Sequence, residues 1–407
     1  MVAGRMIARR TLLGVGLVVA MGTSVLSAAE EAPGVSASEI KIGATFPFSG
    51  PASPLGNTGK AIIAYINFIN DRGGVNGRKI NYIALDDAYS PPKAVEHARR
   101  LVESDDVAFM FSLLGTPSNS ATVKYLNGKK VPDTFIVTGA SKFTDFKEYP
   151  YTTTALPSYE TEGKVFAKYI DKTLPNAKIA ILYQNDDLGK DFVNAFKAYF
   201  KDNFAKRVVV ASYEIADPTV DSQVVSLKSS GADAFLFAGT PKFAAQAIRK
   251  KFELGWTPLF LLNTVAASIS SAIQPAGPEK AVGAISTSFY KDPKDPQWAN
   301  DPGVKDYRAF MDKYMPGADF VDVNYIFGTI QGQLLERLLK QVGQDLTRDN
   351  IVKQARNITD FTPGMMLPGI AVNTGATNNQ AITRLQLQRW NGTSFERFGD
   401  VLSADAD

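Results

Sequence analysis

Two short segments hold the groups best suited to capturing a ligand. Leu113-Leu114-Gly115-Thr116-Pro117-Ser118-Asn119 runs from an apolar strand into a helix. Thr116 is the expected N-cap and Pro117 fits the first helical position. Free amides at such a start, together with hydroxyls, favour an anion such as a carboxylate. Val137-Thr138-Gly139-Ala140-Ser141 closes the next strand and brings another hydroxyl and another set of amides. In a parallel sheet both turns lie outside the carboxyl ends of the strands, where open α/β sheets bind ligands. The competing reading is that Thr116 and Ser141 only cap helices.

Catalysis has little to work with. The single histidine, His97, sits beside Glu96 on an amphipathic helix, where a structural or solvated role is the ordinary one. No serine triad can form without a second histidine. The chain has no cysteine, which excludes disulfides, thiolate nucleophiles, thiolate metal sites and a lipid-modified cysteine. Asp86-Asp87, Asp105-Asp106 and Asp186-Asp187 are adjacent acids, which point to opposite faces of a strand or cap a helix. None has the alternating spacing of a calcium loop, and no Gly-x-x-x-x-Gly-Lys phosphate loop occurs. The expectation is a protein with no catalytic residues, no metal and no cofactor.

Alternating strands and helices position these turns. Ile40 to Phe46 reads as a first strand, followed by the turn Pro47-Phe48-Ser49-Gly50-Pro51. Ile62, Tyr65, Ile66 and Ile69 recur at helical spacing, and Gly73, Gly74 and Gly77 turn the chain. Strands are expected at Lys79–Leu85, Val107–Leu113 and Phe135–Thr138, and a helix buries Ala94, Ala98, Leu101 and Val102. The alternation restarts after Pro157. Strands follow at Lys178–Tyr183, Val208–Ala211, Ala234–Ala238, Leu259–Leu262 and Ala284–Thr287, with helices between them. After a proline-containing stretch at residues 291–302, helices are expected around Tyr307–Tyr314, Tyr325–Leu339 and Asn350–Ala355, then a strand at Thr383–Trp390. This pattern predicts α/β architecture with two doubly wound parallel sheets.

An export leader precedes the first strand. Arg5, Arg9 and Arg10 form a basic start, Leu12 to Ala20 is apolar, and Ser27-Ala28-Ala29 offers a small-residue cleavage site. The apolar run is shorter than the roughly 20 residues of a spanning helix. Arg9-Arg10-Thr11-Leu12-Leu13 also fits a twin-arginine signal, against an ordinary basic start that holds two arginines. Removing residues 1–29 leaves 378 of the 407, enough for two domains. The leader carries three of the 44 basic residues and none of the 41 acidic ones, so the mature chain balances at zero. Neither nucleic acid nor an anionic membrane is an expected partner.

The strand and turn from Ile40 to Pro51, Gly73-Gly74-Val75-Asn76-Gly77, Asp86-Asp87 and Gly115-Thr116-Pro117-Ser118-Asn119 together resemble the leucine/isoleucine/valine-binding protein family. These are periplasmic solute-binding subunits of ABC importers. The likeness runs from about Ser38 to Phe398. It implies a type I periplasmic-binding fold: two Rossmann-like lobes joined by three crossovers, near Leu156, Phe289 and Ala376. Residues 36–155 and 288–376 would form lobe 1, and 156–287 with 377–405 lobe 2. Ligand would sit between the lobes, which close by a hinge motion that a membrane permease reads. A monomer is the default for this likeness.

In amino-acid-binding members, hydroxyls and amides of lobe 1 hold the ligand carboxylate. Thr116 and Ser141 match those positions, with Gly115, Gly139 and Ala140 as backbone. Those members also set a glutamate of lobe 2 against the ligand ammonium. Here Thr264 aligns with it, and threonine cannot form that ion pair. The loss corresponds to about 1.5–3 kcal/mol, or one to two decades in affinity. Glu253 or another acid is the alternative source of that charge. Leu55 and Leu188 stand where the family has ligand-facing aromatics, and Thr240 where another is often found. Leu114 adds apolar lining, and Tyr159 near the first crossover either reaches the ligand or packs the hinge. An aromatic or aliphatic acid is therefore the expected ligand, ahead of a branched-chain amino acid. The alternatives to transport are a sensory subunit for a membrane receptor or kinase, and a secreted two-lobed hydrolase.

Overall fold

A computed structural model describes residues 1–3 and 32–403. Apart from residues 1–3, the leader, including Arg9-Arg10 and the cleavage site near Ala29, lies outside the described residues. No described helix is long and apolar enough to cross a membrane.

The first sheet has five parallel strands: β1 (Glu39–Phe46), β2 (Lys79–Asp86), β3 (Phe109–Phe111), β4 (Asp133–Ile136) and β5 (Thr152–Thr154), in the order β2-β1-β3-β4-β5. Helices α1 (Asn57–Asp71), α2 (Pro91–Glu103) and α3 (Thr116–Gly128) connect them. On α1, Ile62, Tyr65, Ile66 and Ile69 are buried, as their spacing requires. Strand β3 is shorter than its apolar run because Ser112 has a left-handed backbone, φ +60°. The threonine triplet of β5 carries no apolar pattern to announce it.

The second sheet has seven strands. They are β6 (Ile179–Gln184), β7 (Val208–Tyr213), β8 (Ala234–Ala238), β9 (Leu259–Leu262), β10 (Ile285–Ser288), β11 (Arg384–Trp390) and β12 (Phe395–Ser403). Their order is β12-β11-β10-β9-β8-β6-β7, parallel except for β11 and β12. Helices α4 (Tyr159–Thr173) and α5 (Asp187–Phe200) pack on this sheet, followed by Asp221–Ser229 and Pro241–Glu253. β12 was not expected from the sequence. Gly399 and a register shift opposite Gln386–Leu387 interrupt its alternation.

The chain passes between the sheets three times. It leaves β5 through Ala155-Leu156-Pro157 to α4. It returns after β10, where helix Val323–Val342 packs on α1. Gly328 and Gly332 permit this approach: an added Cβ would lie 2.4 Å from the Thr58 carbonyl or 2.5 Å from the Tyr65 ring. Before the last passage, Thr154 exchanges backbone hydrogen bonds with Asn379 and Ala381. That passage therefore falls between Ala381 and β11, a few residues after Ala376. The result is the two-lobed α/β architecture expected from the alternating pattern.

Candidate functional site

Each sheet reverses its strand order once, between β1 and β3 and between β6 and β8. Parallel strands put the carboxyl ends of both pairs on one side, where the loops diverge and leave a crevice. The two crevices face each other. Between them lies a cavity with about 60 Å³ open to the centre of a water-sized sphere.

Lobe 1 builds its wall by extending the sheet beyond the regular strands. Leu114 donates its amide to Thr45, Gly115 to Val137 and Val137 to Leu113, which locks the turns after β1, β3 and β4 together. Gly115, not Thr116, is the cap residue of α3, with φ +112° and no side-chain cap. The first amides of α3 are thus left without a capping side chain, and Thr116 stands at the first helical position. Its hydroxyl bonds that of Thr138 at 2.8 Å. Tyr159 brings its phenol to the same corner, beside Thr116, Thr138 and the Gly139 amide, and burial pushes its pKa up to about 12. The corner therefore offers hydroxyls that stay protonated and amides at a positive helix end.

Lobe 2 contributes Leu188 from the first turn of α5, Thr240 from the cap of Pro241–Glu253, and Thr264 after β9. Asp186 caps α5 through the amides of Leu188 and Gly189, and burial raises its pKa to about 6. The Thr240 hydroxyl donates to Gln184.

Of the residues singled out in the sequence, Leu55, Leu114, Gly115, Thr116, Tyr159, Leu188, Thr240 and Thr264 line the cavity together. Gly139, Ala140 and Ser141 do not. An added Cβ on Gly139 would sit 2.3 Å from the Pro157 carbonyl, so this glycine admits the first crossover. The Ser141 amide and hydroxyl are both taken by Asp191 of α5. Sequence reasoning missed Tyr89, Phe289, Tyr290, Val323, Asn324 and Phe327, which also line the cavity. Phe289 and Tyr290 sit on the second crossover, while the other four had no local signal. It also missed Glu162, which stands buried behind Thr264 and accepts its amide and hydroxyl at 2.7 Å each. Burial raises the Glu162 pKa to about 7, partly opposed by these hydrogen bonds. Glu253, the alternative acid, pairs with Lys250 at the far end of its helix.

Residues 39–394 match the family model described as periplasmic binding protein. The chain belongs to the periplasmic binding protein family. A curated member from Brucella abortus, "Leu/Ile/Val-binding protein homolog 7", is 25% identical over 370 residues, covering 87% of this chain and 90% of that protein. Among solved structures, a branched chain amino acid ABC transporter protein from Thermus thermophilus with bound valine superposes with a TM-score of 0.80 at 15% identity. It covers 91% of this chain and 97% of its own. A fatty acid ABC transporter substrate-binding protein from Thermomonospora curvata gives a TM-score of 0.76 at 20% identity, over 92% and 95%. These periplasmic binding proteins share the two-lobed fold.

The remaining acids are structural. Asp86 accepts from the amides of Ser49 and Ala88, Asp87 from the Tyr89 amide and the Ser118 hydroxyl. The His97 ring meets only the Asp86 carbonyl among the described residues. No described cluster of three or more acidic or histidine side chains could hold a metal.

Proposed function

We propose that this chain is the extracytoplasmic solute-binding subunit of an ABC importer. In this reading it captures a small carboxylate-bearing ligand between its lobes by hinge closure. One observation carries the proposal: the cavity is apolar and uncharged, yet helix N-termini ring it. None of its eighteen lining residues bears a charge. Thr116, Tyr159, Leu188, Thr240 and Val323 each stand at the start of a helix, where the macrodipole is positive. An anionic head with an apolar body suits that field and that lining.

Thr116 and Tyr159 hold the carboxylate, with the Gly115 turn presenting α3. Leu55, Leu114 and Leu188 cover the apolar body, and Thr240 and Thr264 face it from the opposite lobe. Residues 36–155 with 288–381 act as one jaw, and residues 156–287 with β11 and β12 as the other. The ligand is an aromatic or aliphatic acid, or a branched-chain amino acid. Both classes have precedent in the names of the valine-bound and fatty-acid relatives above. Cleavage near Ala29 releases the mature chain outside the cytoplasm, where a permease receives its closed form. The role is binding, in keeping with the periplasmic binding protein family to which the chain belongs.

A thermal-shift screen of the mature protein against small carboxylates tests the proposal. A true ligand at 100 times Kd should stabilise by about 2.7 kcal/mol. No stabilisation by any small carboxylate would overturn it.

A further inference from the structure

Glu162 lies in the first turns of α4 and is only 3% exposed. Its Oε1 accepts three hydrogen bonds: from the Thr264 amide at 2.7 Å, the Thr264 hydroxyl at 2.7 Å and the Thr287 hydroxyl at 2.6 Å. Among the described residues it has no ion-pair partner. Three donors converging on one oxygen fit a carboxylate oxygen that carries no proton.

This arrangement decides which way Thr264 is polar. A threonine hydroxyl has one proton and two lone pairs. The Thr264 hydroxyl also lies 3.3 Å from the Thr287 carbonyl and in close contact with the Thr287 hydroxyl. A carboxylate is a stronger acceptor than either. The single proton is therefore spent on Glu162, away from the cavity that Thr264 lines. What Thr264 offers a ligand is a lone pair, polarised by the buried acid behind it. A ligand group that can only accept would leave that lone pair unpaired in an apolar cavity, at a cost.

We infer that Glu162 is a specificity-determining positioning residue. By fixing the Thr264 hydroxyl as an acceptor, it selects acids that carry a hydrogen-bond donor, a hydroxyl or an ammonium, over plain acids of the same shape. The inference rests on the carboxylate-binding reading above. It returns to lobe 2, through a relay, the preference for a donor that an exposed glutamate would supply directly.

Calorimetry with two matched ligand sets tests it. One set is 4-methylpentanoate, 2-hydroxy-4-methylpentanoate and leucine. The other is phenylacetate, mandelate and phenylglycine. The wild type should prefer a donor-bearing member over its plain acid by about ten-fold or more. Glu162→Leu, which removes the acceptor, should bring that ratio toward one. Thr264→Val should do the same, and Thr264→Ser should retain the preference, so the test stands even if Glu162→Leu does not fold. Equal binding of plain and donor-bearing acids by the wild type, or a preference that survives both Glu162→Leu and Thr264→Val, would overturn the inference while leaving the carboxylate reading intact. No binding of any member would overturn the carboxylate reading, and the inference with it.

Discussion

Ser141 of lobe 1 and Asp191 of lobe 2 are joined by two hydrogen bonds: the Ser141 amide at 2.7 Å and its hydroxyl at 3.0 Å. Next to them, Asp187 pairs with Lys142 at 2.6 Å and accepts from the Ser120 hydroxyl at 3.0 Å. All of these contacts cross the cleft. Lys142–Asp187 is partly exposed and adds little, whereas Asp191 is buried and hydrogen-bonded, with its pKa raised to about 6 by burial.

Asp191→Ala should therefore loosen the closed form. The Ser141 amide would lose a charged acceptor, and such bonds are worth about 1.5–3 kcal/mol each. Solution scattering should show a larger radius of gyration without ligand, and affinity should fall roughly ten-fold. An unchanged radius and unchanged affinity would show that these contacts do not govern closure.

Gly115→Ala should damage the site from its backbone. An alanine Cβ would lie 2.6 Å from the Tyr89 ring, on a backbone with φ +112° that suits only glycine. Urea denaturation should show a loss of about 1–3 kcal/mol, and ligand-induced stabilisation should shrink. A variant with wild-type stability would mean that the turn relaxes freely.

Leu188→Ala should change which acids fit. Leu188 is 2% exposed and borders an existing cavity, so its removal enlarges the cavity instead of opening a sealed void. The preference should move toward bulkier acids, read as a changed ratio of dissociation constants across a chain-length series. An unaltered series would place Leu188 outside the ligand's reach.

Asp133 sets a pH dependence remote from the cleft. It is fully buried, neither carboxyl oxygen has a described partner, and burial raises its pKa to about 8. The ordinary carboxyl value in the unfolded chain is near 3.8. Between these values the native state holds a proton that the unfolded state releases, so this group's contribution to stability falls as pH rises from about 4 to about 8. Asp133→Asn should flatten that slope when melting temperatures are compared at pH 5 and pH 8. An equal slope in both proteins would contradict the buried, protonated state.

The fold was largely readable because its strands are apolar runs with clear ends. β8 and β9 have the limits that Ala234–Ala238 and Leu259–Leu262 suggest. β5 and β12 were hidden because a threonine triplet and a glycine-interrupted strand have no periodic signal. Leu188 and Thr240 were reached only through the family resemblance, whereas Thr116 stood out because sheet topology brings strand ends together. Glu162 did not, since a glutamate in a first helical turn is ordinary, and only the approach of Thr264, 102 residues away, makes it unusual. Phe327 and Asn324 are likewise long-range, delivered by a helix that returns to lobe 1 after strands β6 to β10 of the second sheet.

The most direct test is calorimetry of the mature wild type and Thr116→Ala against the same set of small apolar acids. The account predicts saturable one-to-one binding by the wild type, a negative heat-capacity change from apolar burial, and affinity at least ten-fold weaker in Thr116→Ala. Tight binding that ignores Thr116→Ala, or no carboxylate bound by the wild type, would contradict it.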